Sequence, residues 1–398
     1  MRILIAGTFV FPEGAAGRAV HMQAKGLTEA GHDVMVVACR CAMQDRQATL
    51  DGFSVQCFDA GEEQVGRLSR RLHWMKAQLG MLHYLVVSAW RHRFDQVLFY
   101  GEAPVFALYA PIARLLRQRT CLIQYDLTRT SVTLGFRDYL RRQLIIGSEK
   151  LLAQTSSLII IGYSPSLEEN FRRMAPKTPR VKVWPPTDTA FFACGSRERA
   201  RSRLGVWTDR LVVYAGSISR LEGIDVLLEA VPIIVEQCAM LKLVIAGSVT
   251  SYDPVCGRPI DYEVMVRELG VGGSVIFTGM LPADQVVDLL AAADCLVMPK
   301  VDHPANSAAS PIKIGEYLAS GRPVVATRVC DLDTWLRHGE DVWFCQPGDP
   351  ADLAAAIVRV LADADLARKL GVNGKRAAHD VCDYQEWARR VEAALQVG

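Results

Sequence analysis

Apolar positions along the chain follow two alternating patterns. Short β-branched runs at 3–6, 34–38, 97–100, 121–125 and 158–161 carry almost no polar alternation, as strands buried on both faces do. Between them lie longer stretches with an apolar residue every three or four positions. The clearest of these predicts a helix over 18–30, closed by Gly31 as a C-terminal glycine. Strand–helix alternation of this kind predicts a parallel sheet covered on both faces, a Rossmann-like unit. The pattern breaks at Trp184-Pro185-Pro186 and then restarts, with strands expected at 211–214, 243–246, 275–278 and 295–298, and helices at 224–235, 262–269 and 283–293. A chain of 398 residues exceeds the size at which one core keeps growing. The expected organisation is therefore α/β, with domains over 1–184 and 185–380 and a closing helix over 381–398.

Composition adds three points. Half of the residues are hydrophobic, enough for two cores. Eleven cysteines are scattered, several inside apolar strands (Cys121, Cys295), and none has the paired short spacing of a zinc site. They are expected to be reduced, small core residues. The opening Met1-Arg2-Ile3-Leu4-Ile5-Ala6-Gly7 reads as a strand running into a turn, with neither the charged head nor the cleavage pattern of a secretory signal, and a cytoplasmic location is expected.

The net charge of +2 conceals an asymmetry: residues 1–184 hold 24 Lys+Arg against 15 Asp+Glu, and residues 185–398 hold 21 against 28. A basic half can meet nucleic acid, an anionic membrane surface or an acidic substrate. No recognition helix, zinc finger or aromatic RNA-binding motif supports the first. From Arg67 to Arg93 no acidic residue occurs, while Arg67, Arg70, Arg71, Lys76, Arg91 and Arg93 are basic and Leu68, Leu72, Met75, Leu79, Leu82, Val86 and Trp90 recur at helical spacing. Such a helix either lies on an anionic membrane, with Trp90 and Tyr84 at headgroup level, or packs on the first domain with a solvated charged edge. The apolar run is too short to span a bilayer. Arg114, Arg117, Arg119, Arg137, Arg141 and Arg142 add to the basic character of the same domain.

The segment most informative about chemistry is Ser310-Pro311-Ile312-Lys313-Ile314-Gly315-Glu316-Tyr317, which predicts a helix capped by Ser310, with Pro311 at its first position and Gly321 ending it before a buried strand. Free N–H groups and the dipole at that helix start suit phosphate. Glu316 lies one turn further in, with Lys313 three residues before it on the same side. An ordinary αβ unit with a solvated Glu316 is the plainer alternative. This segment resembles the nucleotide-sugar site of glycosyltransferase family 4, in which the matching Glu holds the donor's ribose. The segment from Trp184 to Phe192 is similar to that family's interdomain linker, and Asp383-Tyr384-Gln385-Glu386-Trp387-Ala388 to its closing helix. The resemblance covers most of the chain. With no dinucleotide fingerprint in either half, it implies the GT-B fold, two Rossmann-like domains facing across a cleft.

The resemblance also marks positions in the first domain. Pro12-Glu13-Gly14-Ala15-Ala16-Gly17 resembles the family's glycine loop and puts Gly14 and Gly17 near the donor phosphate, with Ala15 replacing one of the paired glycines; a simple tight turn is the alternative. Gln124-Tyr125-Asp126 stands where the family has His followed by Asp, which makes Asp126 and Tyr125 the candidate catalytic groups, although a phenol is a poor base near neutral pH. Ser164 also matches a family Ser, and a plain N-cap explains it equally well.

In the second domain, the stretch from Tyr214 to Asp225 resembles the donor-diphosphate loop and nominates Gly216, Ser217 and Arg220. The family places an Arg and a Lys where this chain has Ser217 and Glu222. Two charge-assisted hydrogen bonds of about 1.5–3 kcal/mol each would go with them, or roughly two to four orders of magnitude in binding. Other cations must replace them or the donor site is dead, and of Arg220, Lys300 and Lys313 the favoured substitute is Arg220. The family's first Glu of a pair is Ala308 here, so Asn306 or Ser307 is expected to meet the hexose. Gly247 and Gly279, at strand ends, read as mostly structural.

The donor-binding set is therefore Gly14, Gly17, Gly216, Ser217, Arg220, Ser310, Pro311, Ile312, Lys313 and Glu316. The implied reaction moves a hexose, with retention, from a nucleotide diphosphate sugar to a hydroxyl of a lipid-linked or polysaccharide-precursor acceptor. It needs no cofactor, metal or nucleic acid, and Asp331 and Asp333 read as solvated. Three alternatives stay open: a GT-B-like binding protein without catalysis, a transferase acting on a soluble small molecule, and a related nucleotide-sugar epimerase.

Overall fold

The computed structural model describes all residues except 44, 60–66, 92, 102–103, 128–135, 239, 250–252, 254–259 and 398. It forms two compact units. The first takes Met1–Arg129, Thr133–Thr187 and the closing segment Tyr384–Gly398; the second takes Asp188–Asp383.

The first unit is built on eight strands, β1 (Arg2–Phe11), β2 (Asp33–Cys41), β3 (Gln47–Leu50), β4 (Phe53–Asp59), β5 (Gln96–Tyr100), β6 (Arg119–Gln124), β7 (Leu158–Ile161) and β8 (Arg180–Lys182). Their order is β3-β4-β2-β1-β5-β6-β7-β8, parallel except where β3 pairs antiparallel with β4. That hairpin turns at Asp51-Gly52, both at positive φ, as a two-residue hairpin loop requires. The connections β4 to β5, β5 to β6 and β6 to β7 all run in one direction across the sheet, so right-handed crossovers set their helices, Arg67–Trp90, Pro104–Leu115 and Phe136–Thr155, on one face. The β1-to-β2 connection runs the other way and puts Gly14–Glu29 on the opposite face. Alternation along β1 serves both layers. Ile3 and Ile5 pack with Val20, Ala24 and Trp387, while Leu4 and Ala6 pack with Met81, Leu85 and Phe106.

The closing helix Tyr384–Val397 completes the first of these layers. At Gly26 an added Cβ would lie 2.7 Å from the Tyr384 carbonyl oxygen, so glycine is what lets the two backbones approach.

The second unit carries six parallel strands, β9 (Arg210–Ala215), β10 (Leu241–Ala246), β11 (Val275–Gly279), β12 (Cys295–Met298), β13 (Val324–Thr327) and β14 (Trp343–Cys345), in the order β11-β10-β9-β12-β13-β14. The chain moves outward from β9 to β11, then returns to the other side of β9 with β12. The strand order therefore reverses between β9 and β12, and crevices of doubly wound sheets open beyond the carboxyl ends at such a point. Cys121 and Cys295 are fully buried in their strands, and burial pushes the Cys121 thiol up to about 12.

Candidate functional site

In the first unit, Gly14 opens the helix Gly14–Glu29 in the left-handed region, at φ 68°, with no side chain capping the helix start. Gly17 packs the first turn so closely on the end of β1 that a Cβ would sit 2.3 Å from the Val10 carbonyl oxygen. Ser164 accepts from the Leu167 N–H at 3.2 Å and so caps the helix Pro165–Met174.

Tyr125 departs from its expected role. It is buried, and its hydroxyl accepts from the Trp387 indole N–H at 2.7 Å and the Gln23 amide at 3.2 Å. Burial raises the phenol, and the two donors only partly offset that. Its hydroxyl is spent on docking the closing helix, and Tyr125 leaves the catalytic set. Asp126, beside it, is exposed. Desolvation pushes its carboxyl above the ordinary range.

In the second unit, the switch point gathers the loop after β9, the loop after β12 and the helix Ile312–Ala319. Three glycines or their neighbours are pressed together there. A Cβ on Gly247 would lie 1.8 Å from the Gly216 carbonyl oxygen, one on Gly223 1.8 Å from that of Pro299, and one on Gly216 2.6 Å from Lys313 Nζ. Gly247 and Gly223 are thus required by the crowding of backbone at the strand ends, whereas the neighbour of Gly216 is the Lys313 side chain.

Glu222 stands at the centre. One carboxylate oxygen accepts from Lys300 Nζ at 2.8 Å and the other from Lys313 Nζ at 2.6 Å. Burial would raise this carboxyl, but the two lysines outweigh it and hold it down at about 2. Lys313 also reaches the Tyr214 hydroxyl at 2.8 Å and lies over that ring, 4.6 Å from its centroid. Desolvation lowers Lys313, partly countered by Glu222, whereas at Lys300 the attraction of Glu222 prevails over desolvation and the pKa rises. Two largely buried ammonium groups thus meet one carboxylate at the carboxyl edge of the sheet, and Glu316 acts on Lys313 as a second negative charge.

Several nominated residues stand elsewhere than expected. Arg220, the favoured substitute cation, pairs with Asp225 at 3.4 Å and donates its backbone N–H to Asp253 at 2.7 Å. The cations that meet Glu222 are Lys300 and Lys313. Asn306 does not offer its amide to a sugar. It is 1% exposed, donates to the carbonyls of Leu221 and Val301 and accepts from Lys300 at 3.0 Å, so it holds the β12 loop against the β9 loop. Ser217 is exposed, and its carbonyl accepts from the Tyr214 hydroxyl at 2.6 Å.

Ser310 is not the N-cap, because the helix starts at Ile312 with Pro311 in the cap position and no side-chain capping bond. Among the described residues the buried Ser310 hydroxyl has no hydrogen-bond partner, and no side chain caps the start of the helix. Glu316 is buried one turn further in. Sequence reasoning missed Tyr317, whose hydroxyl bonds both the N–H and the carbonyl of Ala215 at 2.7 and 2.9 Å and fixes the helix to the end of β9. Asp333 lies 3.6 Å from Arg328.

Residues 209–363 match the family model described as Glycosyl transferases group 1, a span that contains the switch point, both lysines and Glu222. That match lies within the second unit and makes this unit similar to the glycosyl transferases of that group. Among curated relatives, a D-inositol 3-phosphate glycosyltransferase of Acidothermus cellulolyticus is 33% identical over 224 residues, covering 55% of this chain and 47% of that protein. An uncharacterized glycosyltransferase of Methanocaldococcus jannaschii is 31% identical over 199 residues, covering 50% and 47%. The chain thus spans about half the length of the curated relatives it matches.

Solved structures agree over the full length. HepE of Anabaena in complex with UDP superposes with a TM-score of 0.72 at 18% identity, covering 100% of both chains. Sucrose-phosphate synthase of Thermosynechococcus elongatus gives 0.75 at 19%, covering 100% and 99%. The GT-B chain therefore has two Rossmann-like units of that fold, its sequence likeness concentrated in the second.

Proposed function

We propose that the protein transfers a hexose from a nucleotide diphosphate sugar to a hydroxyl of a lipid-linked or polysaccharide-precursor acceptor at the cytoplasmic membrane face, with retention of configuration. The observation that carries this reading is the pair of lysines, Lys300 and Lys313, gathered on Glu222 at the carboxyl edge of the sheet, beside an uncapped helix start. Both features suit a diphosphate. The buried, unpartnered Ser310 hydroxyl is a third group ready for a phosphate oxygen, and Glu316 is placed for ribose hydroxyls. The site residues on which the reading rests are Lys300, Lys313, Ser310, Glu316 and Gly216 of the second unit; in the first unit the candidates are Gly14, Gly17 and Asp126.

Chemistry then rests on positioning and charge. The bond from the sugar's anomeric carbon to the diphosphate oxygen breaks, the acceptor oxygen bonds to that carbon, and the acceptor's proton passes to the departing diphosphate. No enzymic nucleophile is used. Lys300 and Lys313 stabilise the charge that develops on the leaving group. That HepE has been solved with UDP and with UDP-glucose makes UDP the first nucleotide to try. A second reading, a soluble polyol phosphate as acceptor, is favoured by the names of the curated relatives.

Thermal unfolding with UDP, GDP, ADP and dTDP tests the donor site. A ligand at a hundredfold its Kd adds about 2.7 kcal/mol, roughly 5–10 °C for a unit of this size. Stabilisation by one nucleotide that Glu316→Ala abolishes is expected. Stabilisation by none would mean a lost donor site and a GT-B-like binding protein.

A further inference from the structure

The three helices on one face of the first unit's sheet bury one apolar stripe each, through residues such as Met81, Phe106 and Leu152. They present a second apolar stripe to solvent. On Arg67–Trp90 it runs through Met75, Leu79 and Trp90, exposed by 53, 60 and 69%; on Pro104–Leu115 through Leu108 and Leu115, at 62 and 83%; and on Phe136–Thr155 it includes Leu144, at 67%. The spacings are those of single helix faces, and the helices pack side by side in the order of their strands, so the stripes line one continuous surface. A helix apolar on two opposite sides fits between two apolar media, and here the sheet is only one of them.

Charge identifies the other. Lys76, Arg91, Arg93, Arg114 and Lys150 are exposed on these helices or directly after them. Among the described side chains of the three helices no carboxylate is exposed, since Glu149 is buried. A second copy of the chain meeting this face symmetrically would set basic groups against basic groups. Among the described residues no helix is long and apolar enough to cross a membrane, so the layer fits on a bilayer and not through it. We infer that this face seats the protein on an anionic membrane, with Leu79, Leu115, Leu144 and Trp90 entering the headgroup boundary and the lysines and arginines meeting lipid phosphates. The inference rests on the first unit alone and stands whether or not the second unit binds a nucleotide sugar.

The test is vesicle co-sedimentation of the full chain, with phosphatidylcholine alone and with one third phosphatidylglycerol. Binding to the anionic vesicles is expected to fall with added salt, to drop about fivefold for each of Lys76→Gln and Arg114→Gln, and to be lost in Leu79→Ser/Leu115→Ser. All substituted residues are exposed, so melting points should stay at the wild-type value and certify the fold. Nucleotide stabilisation of the same variants reads the second unit separately. Absence of binding by the folded wild type, or binding that the variants retain, would overturn the inference. So would lipid-free self-association that Leu79→Ser/Leu115→Ser abolishes, which would assign the face to a second copy.

Discussion

Replacing Glu222 by Gln removes the only carboxylate that meets Lys300 and Lys313 in the described contacts, while keeping the side chain's size. Both lysines are buried behind it, 2.8 and 2.6 Å from its oxygens. Breaking a buried ion pair from one side costs about 3–5 kcal/mol, since the remaining charge has nowhere to go. The titration of Glu222 provides a second measure. Its carboxyl is held at about 2 against an ordinary 4.5, which is worth about 3 kcal/mol of stability.

Because the folded value is depressed, that stability is fully present above the unfolded carboxyl's pKa and is lost as pH falls from about 5 towards 2. The gap between wild type and Glu222→Gln should therefore be about 3 kcal/mol or more at pH 7, roughly 6–15 °C in Tm for the second unit, and about 1 kcal/mol smaller at pH 4. Lys313, already lowered by desolvation, is the group expected to give up its proton in the variant. Thermal and urea unfolding at pH 7 and pH 4 measure both quantities. A variant that melts within 1 °C of wild type, or a gap that does not narrow on acidification, would refute the charge cluster as drawn.

Two further substitutions separate packing from chemistry. Gly247→Ala forces a Cβ onto the Gly216 carbonyl oxygen and should both lower stability by about 1–3 kcal/mol and abolish nucleotide stabilisation, because the displaced loop is the one facing Lys313; unchanged nucleotide binding would show that the loop is slack. Tyr125→Phe strands the Trp387 indole N–H and the Gln23 amide, a loss of about 1–3 kcal/mol in the first unit with nucleotide stabilisation intact. Loss of donor binding without loss of stability would return Tyr125 to the site.

Strands flanked by β-branched runs were legible because burial on both faces leaves a continuous apolar signature, and β7 and β12 fall where the pattern puts them, at Leu158–Ile161 and Cys295–Met298. The β3–β4 hairpin was not read, although its Asp51-Gly52 turn is a local signal. It sits at a sheet edge, where Gln47, Thr49, Ser54 and Gln56 dilute the apolar pattern. The short edge strands β8 and β14 carry too few residues to show a period. The helix Pro104–Leu115 is apolar on both its inward and outward sides, which erases the amphipathic contrast that marks a helix.

At the site, the segment from Ser310 to Gly321 was legible from its helix-boundary chemistry, and only the cap moved by one residue. What stayed hidden was the partnership of Glu222. Its two lysines lie 78 and 91 residues away in sequence, and no periodicity reports a pairing over such distances. A signal did exist: an acid in place of an expected cation has to be neutralised, and Lys300 and Lys313 stood at the same sheet edge.

The closing helix places a demand on the order in which the protein is made. Its Trp387, Ala388, Val391 and Leu395 pack with Ile3, Ile5, Val20 and Ala24, which are made before the second unit. Between Thr187 and Tyr384 the whole second unit must be synthesised, roughly 10–40 s of translation. For that interval the nascent first unit carries an uncovered apolar face, and the second unit can fold before the first is finished. A chain stalled or cut before Tyr384 would then hold a complete second unit attached to an incomplete, aggregation-prone first unit.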